Sequence, residues 1–226
     1  MPSIRNRFYP LHDYSEHNVV NLYSLLTNSG LAGALVKIST GTANPANADG
    51  WSNTTVGTNI ASTASFRYES KMKVLHTASG DTRFNALGLT LYSTLEQDEN
   101  GILLKYNTPR AKEIGAVVSG EAVPIVTKGV FGIWGNYIDT SKGSVQPGNL
   151  VCVSRSGDGL LAAVDPTNST TFNPSGVFVG GAEWRYEPKH VVGKWLTSLP
   201  TSSTTGVGAD FSAQGGYALF QFNPSA

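Results

Sequence analysis

The chain has 226 residues, 40% of them hydrophobic and only 14% charged, with 16 basic residues against 16 acidic ones and a formal net charge of zero. That length admits one large β domain or two smaller ones with a sizeable core, while a charged fraction below the roughly 25% usual for soluble domains leaves a neutral surface rich in Gly, Ser, Thr and Asn. Zero net charge excludes a global field drawing the chain to nucleic acid or an anionic membrane, no 18-residue apolar run is present to span a bilayer, and a single cysteine excludes a disulfide framework.

Residues 1–13 mix Arg5, Arg7, Phe8, Tyr9 and Pro10 without helical or strand periodicity and read as an extended arm. The start, Met-Pro-Ser-Ile-Arg-Asn-Arg, has no apolar export core, so synthesis in the cytoplasm is the expectation. From 15 to 28, Val19, Val20, Leu22, Tyr23, Leu25 and Leu26 fall at helical spacing behind Asp13 or Ser15 as an N-cap, and Asn28-Ser29-Gly30 would stop the turn. This is the one predicted helix. ALVKI at 34–38 reads as a strand, and residues 39–65 form a Thr, Ser, Asn, Ala and Gly stretch whose one large anchor is Trp51. Such a stretch buries too little to offset about 1–2 kcal/mol of backbone entropy per residue by itself.

From Phe66 the pattern becomes β, with short runs rich in Val, Ile, Leu, Phe and Tyr separated by turn residues. Strands are predicted near 71–76, 86–93, 102–106, 113–118, 122–126, 129–134, 149–153, 160–164, 176–179, 191–196 and 217–222. Asn100-Gly101 predicts a hairpin between LGLTLY and ILLKY, and Gly157-Asp158-Gly159 a second between LVCV and LLAAV. The segment 200–216 reads as a Ser/Thr/Gly loop before the closing strand. The predicted fold is mainly β, a β-barrel or sandwich with an N-terminal arm and one short helix. Residues 1–65 hold the arm, helix and polar loop, and 66–226 hold the β-rich domain, as one body or as two small modules, 66–118 and 119–226.

Candidate chemistry is sparse. His12-Asp13-Tyr14-Ser15-Glu16-His17 is the densest titratable cluster, but its histidines are not at the i, i+4 spacing of helical zinc sites, and acids there suit a helix N-terminus better. Glu96, Asp98 and Glu99 lack the alternating ligands and distal Glu of a calcium loop and read as a solvated hairpin tip. Cys152 sits in an apolar run, as a core residue would, and His76 and His190 stand alone in strand-like surroundings. Gly176 to Gly181 has no following helix to make a nucleotide loop, and Asn53-Thr54-Thr55 and Asn168-Ser169-Thr170 are polar loops. Trp51, Trp184 and Tyr186 could line a sugar platform, although large aromatics more often anchor β cores and protein interfaces. No catalytic, cofactor-binding or metal-ligating residue is expected, and no cofactor; the chain reads as a non-enzymatic surface.

Leu87 to Trp134, LGLTLYSTLEQDENGILLKYNTPRAKEIGAVVSGEAVPIVTKGVFGIW, resembles a virion structural protein family of tailed bacteriophages, through a segment carrying Gly120, Ala122, Val123, Pro124, Thr127 and Gly129. GNLVCVSRSGDGLLAAV, VVGKWLTS and GYALFQF are similar to the small β-barrel pattern of capsid decoration (cement) proteins. The likeness covers roughly 85 to 222; the arm, helix and polar loop depart from the smallest members. It implies a homo-oligomer, expected as a trimer, on the capsid surface of the virion. Its partner would be the major capsid protein, with no nucleic acid and no membrane. A receptor- or carbohydrate-binding fibre module and a tail structural protein are the alternatives. Arg5, Arg7, Phe8, Tyr9 and Trp51 are the candidate capsid or inter-subunit contacts, since Arg and aromatic residues are favoured interface anchors.

Overall fold

The computed structural model describes residues 8–11, 16–25, 30–39, 73–118, 121–155, 159–175, 185–199 and 216–224. The chain is mainly β, with sheets curled into half-barrels and one short helix. In chain order the strands are β1 Phe8–Pro10, β2 Val19–Val20, β3 Ser24–Leu25, β4 Leu35–Ile38, β5 Lys73–His76, β6 Ala86–Thr90, β7 Ser93–Leu95, β8 Ala116–Val118, β9 Ile125–Val126, β10 Gly129–Trp134, β11 Ile138–Asp139, β12 Leu150–Val153, β13 Leu161–Val164, β14 Val191–Trp195 and β15 Tyr217–Phe222. The helix, α1, is Thr108–Glu113.

Seven strands form one sheet in the order β1-β10-β15-β14-β12-β13-β11, six form a second in the order β2-β9-β6-β4-β5-β3, and β7 pairs with β8. Most neighbours are antiparallel; β3–β5, β7–β8 and β11–β13 are parallel. The chain crosses from the second sheet to the first at Thr127-Lys128, between β9 and β10.

The main core draws on both sheets: Leu35, Leu89 and Val126 from the six-stranded one meet Phe131, Ile133, Phe220 and Phe222 from the seven-stranded one. Each sheet also buries part of its other face. Val36, Val74 and Ile125 form a second cluster with Leu25, Val117 and Val123, while Cys152, Ala162 and Val164 lie under Phe172 and Tyr186. Strands covered on both faces lose polar alternation and read as continuous apolar runs, which is why LVCV and LAAV are apolar throughout.

The β12–β13 hairpin forms as the sequence predicts, with Leu150 opposite Val164 and Val153 opposite Leu161. Its turn does more than reverse the chain. Gly159, at φ +73°, accepts from the Leu35 amide at 2.7 Å and donates to the Thr77 carbonyl at 3.2 Å, tying the tip to the opposite sheet.

Two local predictions are overturned. The helix expected at 15–28 is replaced by a 3₁₀ turn at Glu16–Asn18 and the strands β2 and β3. The β-branched Val19 and Val20 pair with Val126 and Ile125, and Ser24 and Leu25 pair with Lys73 and Val74, so long-range partners override the helical spacing. The strand expected at 102–106 is a 3₁₀ turn at Leu104–Tyr106 that leads into α1. A single bridge, Gln97 to Leu103, closes the turn, with the Asp98 amide donating to the Ile102 carbonyl and the Leu104 amide to the Glu96 carbonyl, both at 3.0 Å, so the chain reverses around Asn100-Gly101 without two full strands. Helix α1 begins where Asn107 caps the Arg110 amide at 3.3 Å with a proline in the first turn, and its six residues occupy most of the strip before β8.

The polar loop after β13 has its own logic. Asp165, Asn168 and Asn173 each accept with a side-chain oxygen from the hydroxyl and amide of the residue two further on, Thr167, Thr170 and Ser175. Two turns of this kind lead to Phe172 over the sheet and a third follows it, and the Thr167 hydroxyl and amide hold the Asp165 carboxyl below its ordinary pKa.

Candidate interaction surface

Within the arm expected at 1–13, the described residues form β1, an edge strand in register with β10: Phe8 faces Ile133, Tyr9 faces Gly132 and Pro10 faces Phe131. Neighbouring side chains on a strand point to opposite faces. Phe8 therefore enters the core, at 5% exposure, and stacks on Phe131. Among the candidate contacts it is an internal residue, since its ring is spent on this chain's own sheet. Tyr9 points outward and remains half-buried. Arg5, Arg7 and Trp51 lie outside the described residues, as do Trp184, His12, Asp13, the 39–65 loop beyond Ser39, the 176–179 strand and most of the 200–216 loop.

Tyr9 is one end of an aromatic row, Tyr9, Tyr217 and Trp134, across the outer face of the seven-stranded sheet, and Tyr137 meets its far end from beside the main core. The Tyr9 ring meets Tyr217 edge-on at 5.2 Å, Tyr217 stacks on Trp134 at 6.4 Å, and Trp134 meets Tyr137 at 6.2 Å. The register explains the row: Tyr217 lies opposite Trp134 on adjacent strands, and Tyr9 lies opposite Gly132. Gly132 is the seat, because a Cβ there would come within 2.5 Å of the Tyr9 ring. Burial, then the neighbouring Tyr217 phenol, raise the Tyr9 pKa. Phe172 and Tyr186 close the same face farther along, over Cys152 and Ala162, whereas Tyr9, Tyr217 and Trp134 are only partly covered. A signal for this row was present in the closing strand: Tyr217 and Leu219 are apolar on the face opposite Ala218, Phe220 and Phe222, so both faces call for cover.

A second apolar feature projects from the turn before α1. Ile102 and Leu103 are 48% and 38% exposed, and Tyr106 is 79% exposed. The turn is held from within. Asp98 accepts from the amides of Asn100 at 2.8 Å and Ile102 at 2.9 Å, and Gly101 takes φ +79°. Arg110 reaches Asp98 at 3.5 Å, Glu99 at 3.2 Å and Glu113 at 3.2 Å. The acidic tip is thus an arginine cage with a buried Asp98, where a solvated tip was expected. The Ile102 amide, with help from Asn100 and Arg110, holds the Asp98 carboxyl below its ordinary pKa.

Several other titratable groups are buried. Cys152 is fully buried, and burial pushes its thiol pKa up, away from the reactive thiolate. Tyr186 is 1% exposed and does not contribute to any sugar platform; burial raises its phenol pKa. His190 accepts at Nδ1 from the Glu187 amide at 3.1 Å. His76 and Tyr137 line an otherwise apolar cavity of about 510 Å³ between the sheets, together with Leu31, Leu95, Ile133 and Leu160. That cavity can receive an apolar group, but its described lining offers no carboxylate to work with the imidazole. Among the described residues no three His, Cys, Asp or Glu side chains gather as a metal site, and no helix is long and apolar enough to cross a membrane.

The fold and this surface define a mainly β protein whose distinctive exposed groups are aromatic and apolar. No protein-family model matches the chain, and no curated protein matches it.

Proposed function

We propose that the chain is a decoration protein of a tailed-phage capsid, docking on the outer surface of the assembled head and stabilising its lattice. The observation that carries this reading is the half-open row Tyr9–Tyr217–Trp134 on the outer face of the seven-stranded sheet. Aromatic rings held in one orientation lose little entropy on docking and supply large contact area, which makes them effective interface anchors. The sequence resemblance points to the virion, and the neutral surface suits a protein whose working state is assembled.

Cementing follows from linkage. A protein that binds a site formed only when shell subunits meet stabilises the shell by RT ln(1 + [L]/Kd) per site, about 2.7 kcal/mol at a hundredfold excess over Kd. The test mixes purified protein with mature heads stripped of their surface proteins and with unexpanded procapsids. Saturable binding to mature heads, a higher disruption temperature for the decorated particles, and about tenfold weaker binding by Trp134→Ala are expected. No binding to heads, or equal binding by Trp134→Ala, defeats the reading.

The same row favours a second reading, a receptor- or carbohydrate-binding fibre module, because sugar rings stack on exposed aromatic faces. A glycan screen separates the two: a reproducible sugar ligand lost in Trp134→Ala, with no affinity for heads, would select it.

A further inference from the structure

The cavity of about 510 Å³ between the sheets has a buried part and an open part that differ in kind. Gly30, Gly33, Ala34, Ile133 and Gly159 line it where it is buried. Leu31, Leu95 and Leu160 line it where it meets solvent, beside His76 and Tyr137. The described lining holds no Asp, Glu, Lys or Arg. Its volume falls within the range of small-molecule sites, about 300–1,000 Å³, which are apolar for the most part with a few polar groups.

The backbone along this cavity already bonds within the protein. Gly30 and Thr94 exchange amide-to-carbonyl bonds at 3.2 and 2.8 Å, the Gly33 amide donates to the Thr90 carbonyl at 2.7 Å, and the Ala32 amide donates to the Ser93 hydroxyl at 3.0 Å. Gly159 donates to the Thr77 carbonyl at 3.2 Å and accepts from the Leu35 amide at 2.7 Å. These segments therefore offer the cavity mainly C–H surface. Nor can the buried wall move in to fill the space. A Cβ on Gly33 would stand 2.8 Å from the Phe8 ring and one on Gly159 would stand 2.7 Å from the Leu35 carbonyl oxygen, so both glycines are pressed against the protein behind them. Native interiors keep few voids larger than a water molecule, and an apolar void that cannot close forgoes the dispersion contacts an occupant would supply.

We propose that this cavity binds a small uncharged apolar molecule, an aromatic ring or a short aliphatic chain, held among Leu31, Leu95 and Leu160. An ion is selected against, because it would give up its hydration for a lining whose described residues include no carboxylate, guanidinium or ammonium. A polyhydroxylated ligand is selected against as well, since the backbone groups that could replace its bonds to water are spent on Thr77, Thr90, Ser93 and Thr94. A single polar atom on the ligand is accommodated where the cavity meets solvent. Of the rings at the outer face only Tyr137 lines this cavity, so the site is separate from the row Tyr9–Tyr217–Trp134 and does not depend on the decoration reading.

The probes share one ring and differ in charge: toluene, benzoate and benzylammonium, each titrated by NMR onto the full chain at pH 8. Toluene is expected to bind saturably, with amide shifts centred on Leu31, Ala32, Gly33 and Leu160, and the two ions to bind at least about tenfold more weakly. Two variants add volume at lining positions that are not fully buried, Ala32→Leu and Leu160→Trp. Each is expected to weaken toluene by about tenfold or more, and thermal melts check that each folds. Absence of saturable toluene binding, shifts confined to other parts of the chain, ions that bind as well as toluene, or unchanged affinity in a folded variant overturns the proposal. So does a self-associated chain that takes up toluene only after Ile102→Asp with Leu103→Asp dissociates it, because the cavity would then belong to the exposed apolar turn of a second copy.

Discussion

The ring of Phe8 lies on that of Phe131, with centroids 5.0 Å apart and planes 25° from parallel. Gly33 makes room for it: a Cβ there would stand 2.8 Å from the Phe8 ring, and the residue sits at φ +81°. What reads as the end of a free arm is therefore a core anchor that staples β1 to β10. Phe8→Ala is expected to cost about 3–5 kcal/mol, seen as a lower midpoint in urea denaturation. Deleting residues 2–13 would remove this anchor along with the arm. An Arg5→Ala, Arg7→Ala double variant keeps Phe8 and tests the arm alone: lowered head occupancy with unchanged stability would make these arginines contacts.

Asp98 organises its turn with two amides and Arg110. Asp98→Ala should lower the melting temperature more than Asp98→Asn, which keeps an amide acceptor and loses only the ion pair. The folded-state pKa is lowered, so this contribution is full above the ordinary carboxylate value, near 3.9, and is lost as pH falls below it toward the folded pKa. Melting curves between pH 5 and 2 check the sign: the gap between wild type and Asp98→Ala should narrow on acidification.

His190 runs in the opposite chemical sense. Burial first, then the nearby Lys189 charge, lower its pKa, and an unprotonated Nδ1 is needed to accept from the Glu187 amide. Below the ordinary histidine value of about 6.5 the unfolded chain binds a proton that the folded one resists, so stability falls as pH drops through that value toward the folded pKa. His190→Asn keeps an acceptor near the Nδ1 position and does not titrate. It should be less stable than wild type at pH 7.5 but lose less between pH 7 and 5; parallel denaturation curves across that range would contradict this account.

Gly193 lies where β14 meets β15, and a Cβ added there would fall 2.0 Å from the Gln221 carbonyl oxygen. No flexible side chain can yield, because the obstacle is backbone. Gly193→Ala should destabilise by about 1–3 kcal/mol or more and speed amide exchange along β15, the strand that carries Tyr217 of the aromatic row. Unchanged exchange at Leu219 and Gln221 would show that the strands separate without cost.

The strands were legible where burial on both faces makes an apolar run, as in LVCV and LAAV, and the Gly159 turn was legible because few residues accept positive φ. The false helix at 15–28 arose because Val19, Leu22 and Leu25 keep helical spacing, while the partners of Val19 and Val20 lie about a hundred residues away in β9. Helix α1 was overlooked although its cap, Asn107 followed by Thr108-Pro109, is a local start signal; six residues are too few for periodicity to register. Tyr9 is among the candidate contacts, whereas its companions Trp134 and Tyr217 fall in the predicted strands 129–134 and 217–222, and Tyr137 falls in no predicted element.

By itself the sequence determined the class: a mainly β chain of neutral charge with a core cysteine, because composition, apolar runs and turn residues act locally and need no partner. Only the tertiary structure decided which aromatic rings are core and which are surface, and which charges meet. Side chains one residue apart on a strand face opposite ways, so Phe8 and Tyr9 part company only once β1 has its register on β10, and Arg110 acquires its role only when the turn at Asp98 folds back against α1.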